Sequence, residues 1–325
     1  MPRFLETIPH PWKHTDIQQA IFKSSTEARE AIECTKGGQL WRSIKELEDS
    51  VYVFHTNISD LLDEITLFAD RSKNPDFWRN GYENETDRYT REVKRKLSNC
   101  TASLMALVDH ARNFNRIAPV PDFDNELKKH FQHPGLHDFL QCFRNYNTHW
   151  RIAQANWFIS YDLNLNSRQA RFQVSKADLL AWRGWNAAAK EYISRIPEVV
   201  DLYEVFSTYR ANTQNFYAWH RGVVLRQYSD TLRPYLDYKR IFEGINKKYH
   251  WNMVISHVPK ELNPLQYLEN YLPSHKVELV LALPHQSKQQ VDEVIRMLDM
   301  DEFCDEELRR KVYLLFGAEK NHINN

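Results

Sequence analysis

Between Leu40 and about Phe68, the apolar residues Leu47, Val51, Phe54, Ile58, Leu61, Leu62 and Ile65 recur every three or four positions. This spacing places them on one side of an α-helix, and sustained over so long a stretch it excludes a strand. A second stripe, Val93, Leu97, Leu104, Leu107 and Val108, predicts another long helix from about Thr86 to Phe114. Helices with one apolar side need neighbours to cover that side, so the chain must build a helical bundle. Glycine use agrees. The 8 glycines among 325 residues are too few for folds built on glycine turns, and neither GxGxxG nor GxxxxGK[ST] occurs.

The remaining pattern divides the chain into three parts. Residues 1–39 are a polar N-terminal segment that holds one short helix, "STEAREAIE" (Ser25 to Glu33), with a serine cap. The "KGG" at Lys36 to Gly38 is read as a break. Residues 40–245 form the main helical domain. Its third principal helix runs from Pro134 into "RNYNTH". The period then changes to two: Ala153, Ala155, Trp157, Ile159, Tyr161, Leu163 and Leu165 alternate, and after "NSRQ" so do Ala170, Phe172 and Val174. This predicts an inserted β-hairpin over about 151–175. Helical periodicity returns at "SKADLLAWRGWNAAAKEYISRI", with Ser175 as cap, and again from Glu198 to Tyr228, continuing with a kink past Pro234. Residues 246–325 read as a small helical extension. There "YHWNMVISHVP" fits a short strand or buried turn, and "DEELRRKVYLLFG" fits a helix ended by Gly317.

Charge excludes one mode of action. The 43 basic and 43 acidic residues cancel, so nucleic acid would have to be held by a local patch and not by the field of the whole protein. Cys34, Cys100, Cys142 and Cys304 are far apart, which argues against a zinc knuckle or disulfide framework and reads as reduced thiols in a cytoplasmic protein. The opening "MPRFLETIPHPWKHTD" lacks the apolar core of a signal peptide. No run of eighteen apolar residues predicts a membrane helix.

The candidate site is "RNYNTHW", Arg144 to Trp150. At about 100° per residue, with Phe143 at zero, Leu136, Phe139, Leu140, Tyr146 and Trp150 all fall within roughly 60° of Phe143. Asn145 lies at about 200°, His149 at about 240° and Arg144 at about 100°. The polar residues thus stand off the apolar stripe, and Asn145 and His149, one turn apart, are placed to meet.

"RNYNTH" resembles the Arg-x4-6-His motif of the HEPN superfamily, in which a polar residue often follows the arginine, as Asn145 does here. The order of two long helices followed by a helix ending in the motif is also similar. So is a β-hairpin followed by "LLAWRGWNAAAKEYI", a combination that looks like uncharacterised bacterial HEPN-like proteins. The resemblance spans roughly residues 40–245. It implies a mainly α, HEPN-like helical bundle, and many such proteins are metal-independent ribonucleases in toxin–antitoxin, abortive-infection and CRISPR-associated systems. RNA supplies its own nucleophile in the 2′-hydroxyl. His149 would then move protons, Arg144 would hold the phosphate and Asn145 would position one or the other, with no cofactor and no metal. The resemblance further implies a homodimer that brings two motifs together, an RNA substrate and, in a toxin setting, a separate antitoxin protein. The alternative is an inactive HEPN-fold scaffold that binds RNA or protein without cleaving.

Other residues carry secondary readings. His137, one or two turns before the motif, is a candidate RNA contact. "REVKRKLSN" offers Arg91, Lys94, Arg95 and Lys96 as a phosphate-binding strip or, more plainly, a solvated face. His130, His133 and His137 have zinc-like spacing, but Pro134 interrupts the helix they would need. Trp182, Trp185, Ala189 and Tyr192 follow core spacing, and His220 in "FYAWHRG" reads as a hydrogen-bonded core histidine.

Overall fold

In the computed structural model, residues 2–79, 81–150, 152, 153, 155–162, 167–259 and 262–319 are described. The helices, in chain order, are α1 (His14–Lys23), α2 (Ser25–Glu33), α3 (Lys36–Ser72), α4 (Tyr82–Ile117), α5 (Phe123–His130), α6 (Leu136–His149), α7 (Lys176–Leu180), α8 (Ala187–Arg195), α9 (Leu202–Gln227), α10 (Ser229–His257), α11 (Ser274–Leu281), α12 (Lys288–Met297) and α13 (Glu306–Leu315). Three strands, β1 (Asn156–Asp162), β2 (Ser167–Ser175) and β3 (Val199–Asp201), make a small antiparallel sheet in the order β1-β2-β3. The protein is therefore mainly helical. Two compact units emerge, one of residues 40–229 and one that joins 1–39 to 230–325.

In the unit of residues 40–229, the stripes become the core. Phe54, Ile58, Leu61 and Phe68 of α3 and Val93, Leu97 and Leu104 of α4 are fully enclosed. α3 meets α4 through Phe68 and Tyr89, edge to face at 5.4 Å, and meets α9 through Phe54 and Tyr209 at 6.0 Å. α6 packs against α4 and α8. The sheet is fastened at its base. Trp157 of β1 stacks on Phe68 with ring centres 3.7 Å apart and meets Phe172 of β2, its register partner, edge-on at 4.8 Å.

Several expectations need correction. α3 begins at Lys36, so "KGG" is its first turn and not a break. A Cβ on Gly37 would lie 2.5 Å from the Thr231 carbonyl oxygen, so this glycine serves a close backbone approach. The stretch after Ser175 is two helices, not one. Ser175 does cap α7, but Asn186 starts α8 by accepting from the Ala189 amide, and the Trp185 indole takes the Leu179 carbonyl. The expected helix from Glu198 begins instead with β3, which pairs Val200 with Val174. Alternation holds along β2, where Ala170, Phe172 and Val174 are buried, but not along β1. Beyond Trp157, Phe158, Ile159 and Tyr161 on both faces are exposed. Leu163 and Leu165 lie outside the described residues.

In the other unit, Ile17, Ala20 and Ile21 of α1 are buried in a segment that showed no clear period. The α9–α10 break falls at Tyr228, and Pro234 lies inside α10. "YHWNMVISHVP" is neither strand nor turn. Most of it continues α10, with Trp251, Val254, Ile255 and Val258 lining one apolar hollow at helical spacing. Gly317, in the left-handed conformation, follows α13. No helix among the described residues is long and apolar enough to cross a membrane.

Candidate functional site

α6 starts where its neighbour leaves no room for a side chain. Gly135 has a φ of 81°, and a Cβ there would lie 2.6 Å from the Ala188 carbonyl oxygen of α8. Leu136, Phe139, Leu140, Phe143 and Tyr146 are buried as their spacing requires. Trp150 departs from the stripe. It is the cap residue after the helix, 42% exposed, and meets Tyr146 edge-on at 5.0 Å.

Arg144, Asn145 and His149 occupy the other side. Arg144 is half-buried, while Asn145 and His149 are exposed. The Arg144 Nη1 donates to Asn145 Oδ1 at 3.0 Å. Asn145 therefore serves the arginine rather than orienting His149 by a hydrogen bond. The contact has a geometric consequence: Arg144 projects about 140° around the helix from His149, and Asn145, on the histidine's side, draws the guanidinium toward it. The Arg144 Nε is enclosed with no acceptor. No carboxylate among the described residues forms an ion pair with Arg144 or His149, so the positive charge is braced by a neutral amide and left uncompensated. Asn147, which sequence reading passed over, ties the end of α6 to the following segment, its Oδ1 accepting from the Ala153 amide at 3.0 Å.

The secondary residues are not gathered at this end of α6. The His137 Nδ1 lies 2.8 Å from the buried Tyr209 hydroxyl and its Nε2 lies 2.6 Å from Gln141 Nε2, so both ring nitrogens are engaged inside the bundle. Burial holds its imidazole below the ordinary value, with Asp138 opposing and Arg112 assisting. This is a packing histidine rather than one turned to RNA.

The basic run of α4 is adjacent in sequence but divided in space. Lys96 points toward α3 and pairs with Glu64 at 2.6 Å, both side chains largely enclosed. Arg95 is engaged by Glu92 one turn back, at 2.8 Å. Arg91 is exposed and Lys94 half-buried, without an ion pair among the described residues. The run therefore provides two uncommitted cations rather than a four-residue strip.

His130, His133 and His137 do not converge, and no group of three or more His, Cys, Asp or Glu among the described residues is arranged to hold a metal ion. Trp185 and Ala189 are buried, and Trp182 and Tyr192 half-buried, in the aromatic packing around Phe139 and Tyr146. His220 is buried, but no hydrogen bond to its ring exists among the described residues. Comparison with protein-family models, curated proteins and solved structures gives no match to this chain.

Proposed function

We propose that the chain is a HEPN-type, metal-independent endoribonuclease. In this reading His149 exchanges protons with the 2′-hydroxyl and the leaving 5′-oxygen, Arg144 holds the phosphate as negative charge builds on it, and Asn145 sets the guanidinium's position. A second copy of the chain supplies the opposing motif, because one histidine serves one proton transfer at a time. The setting is that of a toxin or phage-defence effector.

The observation that supports this reading is the state of Arg144: a half-buried guanidinium anchored by its neighbour's amide, with no carboxylate paired to it among the described residues, on the same helix as the exposed His149. A specific feature favours the second reading, a scaffold that binds without cleaving. Trp150, Ile152, Phe158 and Tyr161, which follow the motif in the chain, all have exposed apolar surface.

Digestion of RNA with EDTA present separates the two. The wild type should cleave, and His149→Ala should lose roughly 10²- to 10⁴-fold in rate, the range for a general acid–base group. Arg144→Ala should lose cleavage while circular dichroism stays unchanged. Cleavage that survives His149→Ala removes the assignment, whereas binding without cleavage by the wild type selects the scaffold.

A further inference from the structure

Within the unit of residues 40–229, α3, α4 and α9 line a cavity of about 290 Å³, open to solvent on one side, beside the N-terminal half of α3. Its walls are mostly hydrocarbon and aromatic, yet two imidazoles stand in them. His220 is 4% exposed and surrounded by rings, with Phe114 edge-on at 5.5 Å and Phe216 stacked at 6.1 Å. Neither of its nitrogens has a hydrogen-bond partner among the described residues. His55 lines the same space, and both its ring nitrogens are shielded without a partner.

Burial lowers both imidazoles, His220 to about 4, with Arg210 adding to the effect at His55. Both are neutral at pH 7, and each keeps one donor and one lone pair. The His55 nitrogens are sealed from water as well, and protein interiors rarely leave such groups unpaired, because each forfeits the hydrogen bonds it had in water.

The charges that border the cavity are already spent. Arg221 Nε donates to Glu48 at 2.7 Å, and Lys45 Nζ donates to the other oxygen of that carboxylate at 2.6 Å. The cavity thus combines ring faces and aliphatic walls with unused neutral hydrogen-bonding capacity and no unused charge.

We propose that this cavity binds a small, neutral heteroaromatic molecule of about nucleobase size, packed against Phe114 and Tyr217 and hydrogen-bonded by His220. Each property answers a feature of the walls. A charged ligand would find no free counter-ion, and a purely apolar one would leave the imidazoles unpaired. The volume lies at the lower edge of small-molecule sites, which run from roughly 300 Å³ upward. The site is separate from the motif of α6. None of the residues that line it belongs to α6. The proposal therefore stands whether or not the chain cleaves RNA.

Calorimetric titration of the full chain with adenine and benzimidazole tests it, with toluene as the apolar control and adenosine monophosphate as the charged one. Quenching of tryptophan fluorescence gives a second readout, since Trp219 lies 6.3 Å from His220. At least one heterocycle should bind with a dissociation constant below about 1 mM and at least tenfold more tightly than either control. His220→Phe should weaken it by roughly tenfold, the size expected for one lost hydrogen bond. Ala218→Trp, at an exposed position on the cavity's border, should block binding while leaving the core residues in place. Failure of both heterocycles to bind at that concentration overturns the proposal. So does binding that ignores both variants, or tighter binding of either control.

Discussion

Acid should weaken this fold through His220 before most carboxylates are protonated. The ring is 4% exposed, and burial holds it at about 4, against an ordinary histidine value of about 6.5. Unfolding releases it to water, where it takes up a proton once the pH drops below about 6.5, whereas the folded form refuses that proton until about 4. A depressed histidine therefore leaves stability independent of pH above about 6.5 and erodes it between about 6.5 and 4. The gap in proton affinity corresponds to a loss of roughly 3 kcal/mol across that window. His55, also lowered, acts in the same direction, so the contribution of His220 must be read as a difference. The reference is His220→Phe, which keeps a planar ring and cannot titrate. Urea unfolding of both proteins at a series of pH values, followed by tryptophan fluorescence, gives that difference. The two stability curves should run parallel above about pH 6.5 and diverge below it, the wild type falling by roughly 3 kcal/mol more by pH 4. Parallel curves through the whole window, or a His220 proton resonance titrating near 6.5, would refute the reasoning.

Phe68→Ala removes a fully buried ring that stacks on Trp157 and touches Phe77 and Tyr89. Unfolding should cost about 3–5 kcal/mol less, and hydrogen exchange should accelerate in β1 and β2 more than in α9. Lys96→Met strands the Glu64 carboxylate, which is only 13% exposed, and should lower stability by about 1–3 kcal/mol with RNA affinity unchanged. Lost affinity at unchanged stability would instead return Lys96 to a nucleic-acid surface.

The long helices were readable because each carries its apolar residues on one side over many turns, and one side of a bundle helix must be dry. Short elements were not. The two valines of β3 extend a sheet already begun, and three residues are too few to display alternation. "YHWNMVISHVP" fits a short strand or buried turn on sequence alone, but the helical spacing of Trp251, Val254, Ile255 and Val258 prevails because it faces an apolar hollow. At α6, the placement of Asn145 and His149 away from the core followed from angle alone. The partners of polar groups did not. Arg144 could be put on the flank of the helix, but its choice of the adjacent amide depends on rotamers, and the capture of His137 by Tyr209 depends on a residue far along the chain. A run of four basic residues could not show that Lys96 turns inward, because neighbours in a helix point in different directions.

Among the described residues β1 forms the rim of its sheet, pairing with β2 alone, and carries hydrocarbon on both sides beyond Trp157. Natural strands in that position usually discourage company with lysine, proline or a bulge. Asn156 to Tyr161 holds none of the first two, so these residues do not deter a second strand, and crowding is expected to drive the molecules to pair along the rim. A lysine in place of Phe158 or Ile159 is the natural way to keep concentrated solutions of the protein clear.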